Sequence, residues 1–474
     1  MDEGVVEGIY NPFLAICGIV LIPVLIWWIR QHSSRKTKLF GYFLILFFAQ
    51  GSLELLDIIS PTILRYAFEI PLVTCYLICY FRTKKRKIYG GRILILPFIA
   101  VSIVSGVQTG SVMTVLFLLY VLETFMMLFF FINTFNSRDT QLIHKLFILL
   151  AVAQIPASFI KFALVGVMEP YIGTMSSHAG GITTLFALAA FCVSLEIFLC
   201  TDKRWILLLA LGFVLFGFIG EKRALAFFIP IFYIITVIVN TVMNKAYVAS
   251  IKLTFAGIVL IPLLFIVACV LNPSLNPEGK VGGSFDLGYV IEFSDDYNAG
   301  NDYDDSGRSK ALSIVLDKFS EDNLYNKLFG YGAGTLVSSR FNEFDNTDYT
   351  NMQRFGVGYS KNVGLIYMLL QVGVVGTLTY FGIFIALIVD LCRRYRRYSR
   401  FLSLQKRGWV ISSILILICA IVISILYNHV PFYLNPCSLL VVWIYSYSYK
   451  LSDYAHYRRI LEKNSLENTD TQRR

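Results

Sequence analysis

The chain has 474 residues, 56% hydrophobic and only 15% charged, with a formal net charge of +10 and a mean hydropathy of +0.65. Soluble proteins average about 25% charged residues, so this composition excludes a soluble enzyme, a nucleic-acid module and a disordered scaffold. At roughly 20 residues per span, there is room for a dozen or so membrane helices and one sizeable soluble segment.

Apolar runs bounded by charged or turn residues predict thirteen spans, near 12–30, 39–57, 62–81, 93–109, 111–132, 146–168, 182–200, 205–219, 224–242, 250–271, 361–388, 409–427 and 434–449. The runs at 93–109 and 205–219 are the shortest and suit tilted or partly re-entrant helices. The leading segment Met1 to Gly8 is acidic and no small-x-small site follows the first run, so that run reads as a span rather than a cleaved signal peptide. Connections on one side of the predicted membrane hold 29 Lys/Arg, and the short connections on the other hold only Arg65, Lys222 and Arg223. The basic set is therefore expected in the cytoplasm. This gives spans 1–10 within residues 1–271, an external loop over 272–360, spans 11–13 within 361–449 and a cytoplasmic tail over 450–474. All nine cysteines fall in or beside spans, which argues against a disulfide framework.

Ionisable residues inside spans are costly and mark functional candidates. In chain order these are Glu54, Glu69 and Glu123, then Lys161. The three acids are candidate partners for Lys161, which lies in the outer third of its span and can also snorkel to the surface. A proton-coupled transporter would use such acids too. Arg223 follows, in Phe218-Ile-Gly-Glu-Lys-Arg-Ala-Leu225 at the outer junction of two apolar spans, with Glu221 beside it as a possible neutralising charge and Lys222 between them. His178 and His429 are both expected outside; a lone external His is more often incidental than catalytic.

The loop from 272 to 361 has 14 Asp/Glu against 8 Lys/Arg, a net −6 against +16 for the rest. Within it, apolar residues at Ala311, Leu312, Val315, Leu316 and Phe319 predict an amphipathic helix between Gly307 and Phe329. Ser306 or Asp305 can cap it. It runs into the glycine turn Phe329-Gly330-Tyr331-Gly332-Ala333-Gly334, which lets backbone approach another group closely. A helix held beside a membrane and ending in such a turn suits the floor of a lipid-linked substrate cavity, or equally a packed cap with no chemistry. The preceding Asp302-Tyr-Asp304-Asp305-Ser306-Gly307 partly matches a calcium loop, but Ser313 stands where a bidentate Glu belongs and Arg308 and Lys310 intrude. A solvated acidic turn fits better, and a catalytic carboxylate is the other reading. Lys161, Arg223 and Arg308 together form a set of outward-facing cations of the kind that suits a diphosphate, with Arg supplying bidentate geometry.

These segments resemble the O-antigen polymerase and O-antigen ligase superfamily, integral-membrane glycosyltransferases of bacterial surface polysaccharides. Gly220-Glu-Lys-Arg-Ala-Leu225 is similar to the family's Gly-Ser-Arg-x-Ala segment. Ser306-Gly-Arg308, the helix and Leu328-Phe-Gly-Tyr-Gly-Ala-Gly334 resemble the Arg-bearing helix and glycine turn of its large periplasmic loop. Ser360-Lys-Asn362 with Leu369-Leu-Gln-Val-Gly-Val-Val-Gly376 resembles a His-Asn pair followed by Glu-x-Gly-x-x-Gly. The likeness covers about 220–380. Lys361 stands where the ligases place a His, which disfavours a ligase using that His as its base, and Gln371 replaces the Glu.

The resemblance implies an all-α polytopic membrane protein of about 12–13 transmembrane helices, type C glycosyltransferase-like, with one large external loop containing an amphipathic helix. It implies a repeat-unit polymerase in the bacterial cytoplasmic membrane. The donor would be an undecaprenyl-diphosphate-linked oligosaccharide, the acceptor the terminal sugar of another, with a flippase and a chain-length regulator as partners and no nucleic acid. No cofactor or metal is implied, because preorganised Arg and Lys can stabilise a leaving diphosphate. Arg223 and Arg308 are the residues assigned to it, with Lys161 third and Lys222, Gly330, Tyr331, Gly332, Lys361 and Asn362 as further substrate contacts. Asp304, Asp305 and Glu221 are candidates for a general base. Tyr297, Tyr303, Tyr331 and Tyr359 are candidates to stack on sugar rings. The alternatives are a ligase within the same class and, in a different class, a lipid-linked oligosaccharide flippase or other secondary transporter. The absence of an internal repeat between halves and the long loop with an ordered helix favour outward chemistry.

Overall fold

The computed structural model describes residues 12–56, 58–84, 87, 89–166, 173–176, 180–220, 222–245, 247–300, 306–337 and 347–472. Among them the chain is helical throughout and carries no β-strand. In order, the helices are α1 (Pro12–Ile29, a 3-10 turn in its middle), α2 (Arg35–Phe48), α3 (Pro61–Arg82), α4 (Arg92–Ser105), α5 (Ser111–Thr134), α6 (Ser137–Val165), α7 (Gly180–Thr201), α8 (Arg204–Ile219), α9 (Arg223–Asn244) and α10 (Tyr247–Leu271). Then follow α11 (Leu287–Ala299), α12 (Arg308–Glu321), α13 (Leu324–Phe329), α14 (Asp348–Phe355), α15 (Gly364–Tyr398), α16 (Leu404–Leu426) and α17 (Pro436–Gln472).

Eight helices among the described residues are long and apolar enough to cross a membrane: α1, α3, α5, α6, α7, α9, α15 and α16. Helix α4 extended by a 3-10 turn to Gln108, α8 and Gly257–Leu271 of α10 are shorter apolar helices. The run predicted as one span over 39–57 is broken. Helix α2 stops at Phe48, and a further helical turn spans Gln50–Glu54. The cause is Thr174, whose hydroxyl donates to the Phe48 carbonyl at 2.6 Å and whose own carbonyl accepts from the Gly51 N–H at 2.9 Å. Side-chain insertion into the backbone ladder is a recognised cause of a helix break.

Helix α7 is hydrophobic all round and correspondingly buried, packed between α16, α8 and α9. Around it, α15 lies against α16 and α4, while α17 packs on α5 and α16. Trp443 of α17 is fully buried where it stacks on Phe147 at 5.1 Å and meets Phe131 edge-on at 5.0 Å. Each such aromatic pair is worth about 0.5–1.5 kcal/mol beyond its burial.

The expected amphipathic helix is present but in two pieces. Ala311, Val315 and Phe319 of α12 are buried, as the periodicity predicts, whereas Leu312 and Leu316 stay partly exposed. The chain breaks at Asp322, and the Asn323 side chain caps α13 by accepting the Asn326 N–H at 2.8 Å. Ser306 is not the cap of α12, and Asp305 lies outside the described residues. The cap position is Gly307, and the Ser306 hydroxyl donates instead to the Val357 carbonyl at 3.4 Å.

The glycine turn does approach another group closely, and that group is α15. Helix α15 is interrupted at Gly373, at φ 63° and ψ −166°, so its carbonyl ladder opens locally. Tyr331 N–H donates to the Leu370 carbonyl at 2.7 Å. A side chain at Gly330 would sit 2.6 Å from the Gly373 nitrogen. Gly332 packs against Thr109 with no room for a Cβ. The Tyr331 ring lies between Phe319 (5.7 Å) and Phe355 (5.4 Å). Burial, with the Asp322 carboxylate adding to it, raises the Tyr331 phenol above its ordinary value. Gly330, Tyr331 and Gly332 therefore clamp the loop segment to the bundle, and none of the three lines the arginine cavity described below.

Gln371 completes the clamp. Its side-chain oxygen accepts from Gly334 N–H at 3.1 Å and Leu336 N–H at 3.4 Å. Gln371→Leu would remove the acceptor that these two buried N–H groups share, and a buried N–H left unsatisfied costs about 1–3 kcal/mol. A markedly lowered unfolding midpoint is the expected result, read by thermal unfolding of the purified protein in lipid nanodiscs.

Candidate anion site at two helix N-termini

Arg223 and Arg308 are each the first residue of a helix. Helix α8 ends at Ile219, and Lys222 N–H turns back to the Gly217 carbonyl at 3.2 Å before α9 begins at Arg223. Gly307, with φ 74°, lets the chain enter α12 at Arg308. Both arginines line one cavity of about 480 Å³, within the range of small-molecule sites. It is bounded by the starts of α9, α12 and α15, the end of α16, and Phe293 and Ser294 of α11.

Each guanidinium is steadied by a ring: Arg223 lies 5.2 Å from the Phe293 centroid, and Arg308 lies 4.6 Å from Tyr427 and 5.9 Å from Tyr359. The remaining described wall is apolar apart from Ser294, Ser309 and Tyr427, and it carries no carboxylate. The first-turn N–H groups of a helix have no intrahelical acceptor and its dipole is positive there. Two such termini with an arginine on each make a cavity suited to an anion.

The other sequence candidates lie elsewhere. Lys222 is only 1% exposed and is not part of the cavity wall. Lys161 of α6 is 3% exposed, with Cys17 and Glu54 as its electrostatic neighbours, so of the three cations only Arg223 and Arg308 line this cavity. Lys361 is ion-paired with Asp348 of α14 at 3.1 Å. The Asn362 carbonyl accepts from both the backbone N–H and the Nδ1 of His429, at 2.9 and 2.8 Å. Glu221, Asp304 and Asp305, with Tyr303, His178 and the Tyr297 side chain, lie outside the described residues, as does most of the partial calcium loop. Among the described residues no group of three or more His, Cys, Asp or Glu is placed to hold a metal ion.

The chain matches no protein-family model, and no curated protein sequence matches it.

Two features of the site had no sequence signal. Tyr427 and Phe293 position the arginines, but they belong to segments far apart in sequence and carry no motif. His429 is not an isolated external histidine. Its Nε2 lies 3.1 Å from the Tyr120 hydroxyl and Tyr367 stacks on it at 4.6 Å. Burial is the main reason the ring is held down to about 4, with Lys361 adding to that effect and the bond to Asn362 opposing it. The network is satisfied with the ring neutral. A carbonyl can only accept, so Nδ1 carries the hydrogen and Nε2 receives the Tyr120 O–H.

Proposed function

We propose that the chain is a polymerase that joins lipid-linked oligosaccharide repeat units on the outer face of the bacterial cytoplasmic membrane, releasing undecaprenyl diphosphate. The observation that carries this reading is the convergence of Arg223 and Arg308, 85 residues apart in sequence, on one cavity at the starts of α9 and α12. A hydroxyl of the acceptor sugar attacks the anomeric carbon of the donor, the glycosidic bond forms, and the bond to the carrier diphosphate breaks. Negative charge grows on the departing phosphate, where two preorganised guanidinium groups and two sets of helix N–H groups stabilise it most. The apolar part of the wall, with Phe227, Phe228 and Leu312, suits the carrier lipid. Glu221, Asp304 and Asp305 remain the candidates to take the hydroxyl proton.

Arg223→Ala and Arg308→Ala are expected to leave the protein in the membrane while surface glycan falls to single repeat units on electrophoresis. Wild-type chain lengths in both variants would remove the diphosphate assignment. A ligase defect would instead retain long polymer on the carrier lipid. The second reading, a secondary transporter, is favoured by one observation, the ionisable group formed by Arg65, Glu69 and Glu123 within the bundle. Under that reading the same variants would accumulate donor on the inner leaflet.

A further inference from the structure

Away from the arginine cavity, α3 and α5 bring one guanidinium and two carboxyls together. Arg65 is ion-paired with Glu69, one turn along α3. Glu123 of α5 is one helical turn from Tyr120, on the same face of the helix, and Arg65 rests against the Tyr120 ring. Glu123 lies twelve residues into its helix, roughly 18 Å from Ser111. Its side chain is 6% exposed, and its Oε2 is sealed from solvent without a hydrogen-bond partner. Arg65 rests 5.3 Å from the centroid of Tyr120, whose hydroxyl is committed to His429.

The groups facing this set are Tyr120 from α5, Tyr367 from α15, and His429 and Tyr433 from the connection between α16 and α17. Beyond His429 lies Lys361, already engaged by Asp348. Among the described residues, then, one cation in direct reach faces two carboxyls. With both ionised the set is net −1; the Arg65 side chain is 44% exposed, but Glu123 is buried, and a buried carboxylate without a hydrogen bond is strongly unfavourable. Two carboxyls around one cation share a proton for the same reason that like charges cannot both ionise at close quarters.

We propose that Glu69 and Glu123 form a binding site for a single proton, which resides on Glu123 while Glu69 holds Arg65. The proton comes from solvent acid, forming one O–H bond on the carboxyl and leaving no other bond changed. A metal cation is a poorer occupant, because hard cations need several oxygen ligands. Here one carboxyl is occupied by Arg65 and the neighbouring Tyr120 hydroxyl is spent on His429. Losing the proton sets both carboxylates competing for Arg65. The disturbance is relayed through Tyr120 and His429 to Asn362, which directly precedes the Val363 to Ile366 wall of the arginine cavity. This site is independent of the glycan reading.

Infrared difference spectroscopy on the full chain in nanodiscs tests it, titrating from about pH 6 to about pH 10 and reading the carbonyl stretch of protonated carboxyls. The wild type should lose a band as pH rises. Glu123→Gln should remove one carboxyl's worth of that band, while Glu196→Gln, at the buried carboxyl of α7, should leave this component in place. Glu69→Gln should also remove it, because Glu123 is then the sole carboxylate beside Arg65 and ionises. If Glu123→Gln does not fold, the comparison of wild type with Glu69→Gln carries the test. A component that survives either substitution overturns the shared proton. Displacement of the band at fixed pH by sodium chloride but not choline chloride would assign the site to sodium and overturn it equally.

Discussion

Gly373→Ala is expected to yield a protein with a greatly lowered unfolding midpoint and poor recovery from the membrane. Two costs combine at this position. At φ 63° a residue with a Cβ is strained by about 1–2 kcal/mol. The added carbon would also stand 2.5 Å from the Gly330 nitrogen and from the carbonyl of Leu328, which are backbone atoms with no rotamer to change. Relief would require the glycine turn to lift off α15, breaking the Tyr331 to Leu370 hydrogen bond and exposing the N–H groups that Gln371 accepts. Together these exceed about 3 kcal/mol, which is a large share of a typical domain's stability. Gly110→Ala is the control: its φ is 86° but nothing lies within 4 Å of an added Cβ, so only the backbone strain applies. Thermal unfolding in nanodiscs reads both. Equal midpoints for Gly373→Ala and Gly110→Ala would refute the clamp.

Under the proposed polymerase reading, Arg223→Lys and Arg308→Lys should each retain a cation yet lose most of the rate. A guanidinium presents a planar fork that meets two phosphate oxygens at once, whereas an ammonium is a point charge. The two arginines also rest against Phe293 and Tyr427, a contact that orients the fork and that lysine reproduces poorly. Removing one preorganised donor to a developing oxyanion costs about 10²–10³ in rate. The alanine variants should fall in that range, with the lysine variants between them and wild type. Repeat-unit consumption by purified protein with a synthetic diphosphate-linked donor measures it. Lysine variants at wild-type rate would mean that the cavity uses charge without the fork. Alanine variants at wild-type rate would mean that this cavity does not hold the leaving group.

Much of the helical architecture is legible residue by residue. Runs such as 182–200 and 409–427 are apolar on every face, and the helices they form are among the most buried. The two short runs at 93–109 and 205–219 are indeed the short helices α4 and α8. Two predicted spans, 39–57 and 434–449, are not among the membrane-length or shorter apolar helices of the described residues; at 39–57 the cause is non-local, because Thr174 reaches across from more than a hundred residues away to take the Phe48 carbonyl. The glycine turn shows the same limit. Its glycines correctly announced a close backbone approach, but not that the surface approached would be the break in α15 rather than a ligand.

The amino-acid sequence on its own determines that this is a helical, apolar chain interrupted by one acidic segment, and it singles out Arg223 and Arg308 as charges in need of a reason. That much follows from local chemistry, because hydropathy, charge and periodicity are properties of neighbouring residues. Only the tertiary structure decides that those two arginines share a cavity while Lys161, Lys222 and Lys361 are buried or paired elsewhere, and that Arg65, Glu69 and Glu123 form a second charged group. The physical reason is that a charge acts over a few ångströms of low-dielectric space, and which charges lie within that reach is set by how the helices pack.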